Sequence, residues 1–113
     1  MGKVWYNSDI KNVLDSFLLN NPIVLPGKVF GYPAYYVNKK LFACVYEDGV
    51  GLKVPLKLVN ELIGKEGFVP FIPMGRRKMK EWIQINRKNA ADYLNDREIF
   101  EKSIDFAASS GDK

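Results

Sequence analysis

Apolar residues stand at Ile10, Val13, Leu14, Phe17 and Leu18, the i, i+3, i+4, i+7, i+8 spacing of a single helical face, with Asn7 or Ser8 ahead of them as N-cap. Asn20-Asn21-Pro22 closes this helix, because proline disfavours helical dihedrals at the residue before it. The next segment, Ile23 to Gly27, is flanked and interrupted by Pro22 and Pro26 and reads as an extended connection. The pattern then becomes strand-like over Ala34 to Val37, Leu41 to Glu47 and Val50 to Val54, three runs rich in Tyr, Val, Phe and Leu. Turn residues separate them at Asn38-Lys39 and at Asp48-Gly49, the second being the stronger hairpin signal because type I′ turns need positive φ at both central positions.

Pro55 suits the first turn of a second helix, whose stripe is Leu58, Val59, Leu62 and Ile63 and whose stop is Gly64 or Gly67. Phe68 to Met74 returns to extended chain, and Pro70 and Pro73 make it an edge strand, since proline donates nothing to an interior ladder. Glu81 to Asn86 is a fifth strand with Ile83 and Ile85 on one face and Trp82 and Gln84 on the other. Ala90, Ala91 and Leu94 suggest a short turn, after which Asn95 or Asp96 caps a last helix burying Ile99, Phe100, Ile104 and Ala107. The order α-β-β-β-α-β-β-α predicts one α+β two-layer domain over residues 1–113, with an antiparallel sheet, helices mainly on one face and a loose tail at about 109–113. The run Leu41 to Tyr46 is apolar on both faces, Leu41, Ala43 and Val45 on one and Phe42, Cys44 and Tyr46 on the other. If the helices share one side, the other exposes an aromatic patch, the usual mark of an interaction surface.

Composition narrows the class. Hydrophobic residues at 47% and charged residues at 27% belong to an ordinary globular domain. The apolar runs fall far short of the ~20 residues that span a bilayer, and Met1 to Asp9 has no secretory pattern, so no membrane contact and a cytoplasmic location are expected. Cys44 is the only cysteine, which leaves a small buried hydrophobe as its preferred role. Seventeen Lys and Arg against thirteen Asp and Glu give a net charge of +4, a bias that permits acidic partners.

The chain has no histidine, hence no imidazole base, triad or histidine metal ligand. Glu47 and Asp48 fall in a turn and Glu61, Glu66, Glu98 and Glu101 on helix surfaces, so no paired-carboxylate site emerges. Neither Gly27 to Gly31 nor Gly49-Val50-Gly51 has a phosphate-loop pattern. No catalytic residue, cofactor or metal is expected. The distinctive polar stretch is Gly75-Arg76-Arg77-Lys78-Met79-Lys80, followed by Trp82. Read for function, Arg76, Arg77, Lys78 and Lys80 contact phosphates while Trp82, Tyr35 and Tyr46 offer rings, the combination that binds single-stranded nucleic acid; read plainly, the stretch is a solvated loop. A third reading pairs Phe30-Gly31-Tyr32-Pro33 with Phe71-Ile72-Pro73-Met74 across a cleft, with Arg76 or Arg77 as anion anchor.

The runs Gly27-Lys28-Val29-Phe30-Gly31, Tyr36-Val37-Asn38-Lys39-Lys40-Leu41-Phe42-Ala43 and Gly51-Leu52-Lys53, with Pro73-Met74-Gly75 ahead of Glu81-Trp82, resemble the TfoX N-terminal domain family over residues 27–106. The YjbR-like family, also called MmcQ, is the close alternative and implies the same fold. The resemblance implies a bacterial regulatory domain of two layers and brings no catalytic residues, and TfoX proteins are associated with competence regulation. The expectation is a non-catalytic regulatory or protein-interaction domain, a homodimer through the free sheet face or bound to a protein partner. The alternative is a nucleic-acid-binding domain that uses the basic loop 75–80.

Overall fold

A computed structural model describes residues 4–73 and 78–109. Helix α1 (Ser8–Leu18) opens at Asn7, whose side chain accepts from the Asp9 and Ile10 N–H groups, as its N-cap role requires. Four strands follow, β1 (Val24–Val29), β2 (Tyr32–Val37), β3 (Lys40–Tyr46) and β4 (Gly49–Lys53), then α2 (Leu56–Leu62), β5 (Phe68–Pro70), β6 (Trp82–Ile85), a 3₁₀ helix (Ala90–Asp96) and α3 (Arg97–Ser109). The strands form one antiparallel sheet in the order β1-β2-β3-β4-β6-β5. The α+β order read from the sequence is present, with one strand added at its start. Val24–Val29 pairs with β2 because Phe30 and Gly31, at φ 49° and 87°, make a two-residue turn that returns the chain upon itself.

Two local expectations are corrected. The third hairpin turns at Glu47-Asp48, since Tyr46 pairs with Gly49 and the positive φ, 54°, belongs to Glu47. Gly49 does not supply the positive φ, and a Cβ there would meet only the ends of the Asn86 and Gln84 side chains. In β3 the strict alternation fails, because Tyr35 pairs with Ala43 and Tyr36 with Leu41, leaving Phe42 as the extra residue of a bulge. The bulge sends Phe42 to the helix side with Ala43 and Val45, while Leu41 joins Cys44 and Tyr46 on the other face.

All three helices lie on one face. Ile10, Leu14 and Leu18 of α1, Val59 and Leu62 of α2, and Phe100, Ile104 and Ala107 of α3 close over Val37, Val45, Val50, Leu52, Ile83 and Ile85. Two polar pins fix this layer. Buried Ser103 donates to the Lys53 carbonyl at 2.5 Å, with the carbonyl of the bulged Phe42 3.4 Å away. Arg87 forks onto buried Asp96 at 2.9 and 2.7 Å, donates to the Glu66 carbonyl and stacks over Phe68, tying the 3₁₀ helix to the β5–β6 edge. Among the described residues no helix is long and apolar enough to cross a membrane.

Candidate binding site on the open sheet face

The face away from the helices has a physical plan set by strand register. Gly27, Ala34, Cys44 and Gly51 are successive cross-strand partners on β1, β2, β3 and β4, so four small residues form a furrow running across the strands. Val29, Tyr32 and Tyr46 wall it on one side and Leu25, Tyr36 and Leu41 on the other. The protein's own rings fill its ends. Tyr36 lies over Gly27 and Phe71 over Gly51, each so close that a Cβ would meet ring carbons at 2.9 and 2.7 Å. Above Cys44 remains a cavity of about 80 Å³ with a wholly apolar lining.

Four rings build the cavity's flank in a chain: Tyr32 to Tyr46 at 4.9 Å, Tyr46 to Phe71 at 5.8 Å and Phe71 to Trp82 at 5.5 Å between centroids. Phe30 and Met79 stand at the mouth; Phe30 is 75% exposed. Beyond Met79 and Trp82, which border both spaces, an open cleft of about 730 Å³ is lined by Lys53, Lys78 and Lys80 with Leu56 and Glu81. The Cys44 thiol on the furrow floor is pushed up to about 12 by burial, against a hydrogen bond from Gly51 that lowers it, so at neutral pH it is a hydrophobe and not a nucleophile.

Of the residues singled out in the sequence, Lys78, Lys80 and Trp82 come together at this cleft and Tyr46 joins through the ring chain. Tyr35 is a correction. It points to the helix side, 1% exposed, and donates to Asp15 at 2.5 Å, a carboxylate that also holds Lys11 at 2.7 Å. Alternation along β2 gives Tyr32, Ala34 and Tyr36 to the open face and Tyr35 to the core. Trp82 is only 6% exposed, so its indole offers no free face for stacking a base. Arg76 and Arg77 lie outside the described residues. Of the cleft expected between Phe30-Gly31-Tyr32-Pro33 and Phe71-Ile72-Pro73-Met74, the residues Phe30, Tyr32, Phe71 and Pro73 line the apolar cavity, Gly31, Pro33 and Ile72 do not, and Met74 and Gly75 also lie outside the described residues. Sequence reasoning missed the floor residues Gly27, Ala34 and Gly51, and Lys53. Their signal is small residues at alternate positions, which gains meaning only once the strand register is known.

Among the described residues no group of three or more His, Cys, Asp or Glu is placed to hold a metal ion. Compared with protein-family models, curated proteins and solved structures, the chain matches none.

Proposed function

We propose that this chain is a non-catalytic regulatory module that seats a protein partner on its open sheet face, the role expected of a domain resembling the TfoX N-terminal domain family. The observation that carries this reading is Phe30. A bulky residue at φ 49° is a backbone outlier, and 75% of an aromatic side chain left in water forgoes the burial that would stabilise the fold. The turn between β1 and β2 needs that φ but not an aromatic residue to hold it, and the exposed ring stands at the lip of an apolar socket.

The edges of the sheet support a face rather than an edge as the docking surface. In a two-residue hairpin the residues flanking the turn, here Val29 and Tyr32, exchange both hydrogen bonds, so Val24, Pro26 and Lys28 direct their backbone groups outward from β1. The Val24 N–H is taken by Asn21, Pro26 has none, and the Lys28 carbonyl accepts from the Tyr36 hydroxyl. At the opposite edge β5 is three residues long and ends in Pro70. Strand addition therefore finds few open bonds at either edge.

A second reading, nucleic acid held by the basic loop, is favoured by the gathering of Lys53, Lys78 and Lys80 in one cleft and opposed by the burial of Trp82. Titration of the isotopically labelled protein with N-acetyl-leucinamide tests the face. Amide shifts should concentrate at Ala34, Cys44, Gly51 and Trp82. Shifts scattered over α1 and α3, or none at all, would remove the open face as a docking site.

A further inference from the structure

We propose that the partner segment taken by the open face is an acidic peptide carrying one aliphatic anchor, the anchor entering the socket over Cys44 and the carboxylates meeting Lys53, Lys78 and Lys80. This rests on the docking face proposed above and names what that face selects.

The size of the socket decides the anchor. About 80 Å³ is roughly half of the ~150 Å³ cavity that accepts a benzene ring, so it takes a branched aliphatic side chain and excludes an acyl tail or a planar cofactor. No polar atom lines it, which makes the group that enters a hydrocarbon.

Charge decides what flanks the anchor. The socket and the lysine cleft share Met79 and Trp82, so a chain leaving the socket on that side enters the cleft directly. Among the described residues Glu81 is the one acid lining that cleft, and the ion pairs Lys11–Asp15 and Arg87–Asp96 lie away from it, on the helical layer and at the β5–β6 edge. Carboxylates a few residues from the anchor complement this surface and steer the encounter. A second copy of the chain would bring the same lysines to the same place on a body that already carries +4, so like charges oppose self-pairing across this face. Single-stranded nucleic acid shares the negative charge but needs open ring faces, and the indole in the cleft is buried.

The test is fluorescence anisotropy with a labelled decapeptide of Asp and Glu around one central Leu, at low and moderate salt. Its comparisons are the same peptide with Ser for Leu, a peptide with Lys for every acid, and a mixed-sequence single-stranded oligonucleotide. Binding of the acidic Leu peptide is expected to weaken at least about tenfold on replacing its Leu with Ser, the size of effect a central anchor carries. A comparable loss is expected for Lys53→Glu with Lys80→Glu, two changes at the surface, and for Cys44→Leu, whose added bulk enters the socket from its floor. Lys102→Glu on exposed α3 should leave binding unchanged. Equal binding of the Leu and Ser peptides, tighter binding of the oligonucleotide, or self-association that competes with the peptide overturns the proposal. If the basic Leu peptide binds as well as the acidic one, or if N-acetyl-leucinamide shifts the socket amides while no peptide binds, the acidic partner is overturned and the docking face stands. Failure of both experiments removes both readings.

Discussion

Phe30 holds a backbone conformation that suits Asn or Gly, directly before Gly31 in a turn whose favoured pair is Asn-Gly. Left-handed φ costs an ordinary L-residue about 1–2 kcal/mol. Phe30→Asn should therefore raise the free energy of unfolding by about 1 kcal/mol, read from urea denaturation, while weakening the socket's hold on N-acetyl-leucinamide. A loss of stability would mean that the Phe30 ring is a structural contact and not a lip. Single residues were unevenly legible in the sequence. The placement of Trp82 on the face opposite Ile83 and Ile85 follows from alternation and is present in the structure. Tyr35 and Tyr46 look alike as rings in the sequence, whereas strand parity separates them, and the side taken by Phe42 is hidden because a bulge leaves no mark in periodicity.

At the scale of elements, β1 is the instructive case. Its prolines argued for an extended connection, and extended it is, but pairing was hidden because Phe30-Gly31 is an uncommon turn pair. Proline is tolerated here since β1 is an edge strand and Pro26 directs its missing donor outward. Pro26→Thr restores that donor on a strand whose Leu25 is already 60% exposed. Sedimentation velocity should then show association that grows with concentration, beyond that of the parent protein. An unchanged mass at all concentrations would show that Asn21 and Tyr36 suffice to close the edge. Helix positions are legible because 3.6-residue periodicity is a local signal, but the expected Asn95 or Asp96 cap of the last helix is not: the 3₁₀ helix runs straight into α3 and the Asp96 carboxylate holds Arg87. The third hairpin turns one residue before the Asp48-Gly49 signal because Glu47 takes the positive φ.

Considered whole, the molecule keeps its titratable thiol and a core phenol protonated. Burial raises Cys44 from 9.0 and Tyr93 from 10.0, each to about 12, the second despite hydrogen bonding and charge from Arg87 that lower it. For groups whose folded values are raised, the stabilisation is complete below the unfolded values and is lost as pH rises through the folded ones. Urea midpoints should hold to about pH 9 and fall toward pH 12, and Cys44→Ala should remove part of that slope. A flat profile would mean that the thiol is already open to water.

The expected two layers with helices mainly on one sheet face are present, and the doubly apolar β3 run accounts for the apolar side chains on the other face. The furrow is not legible in the sequence, because it belongs to no segment. Its floor takes one residue from each of four strands, and its rings arrive from β2, β3, the chain after β5, and β6. A slip of β1, β2 or β3 by two residues would put a large side chain where a small one stands and close the groove. No excised hairpin carries it. Whatever the furrow grips, it grips only when every strand is in register, so occupancy of this groove is a measure of correct assembly as well as of affinity.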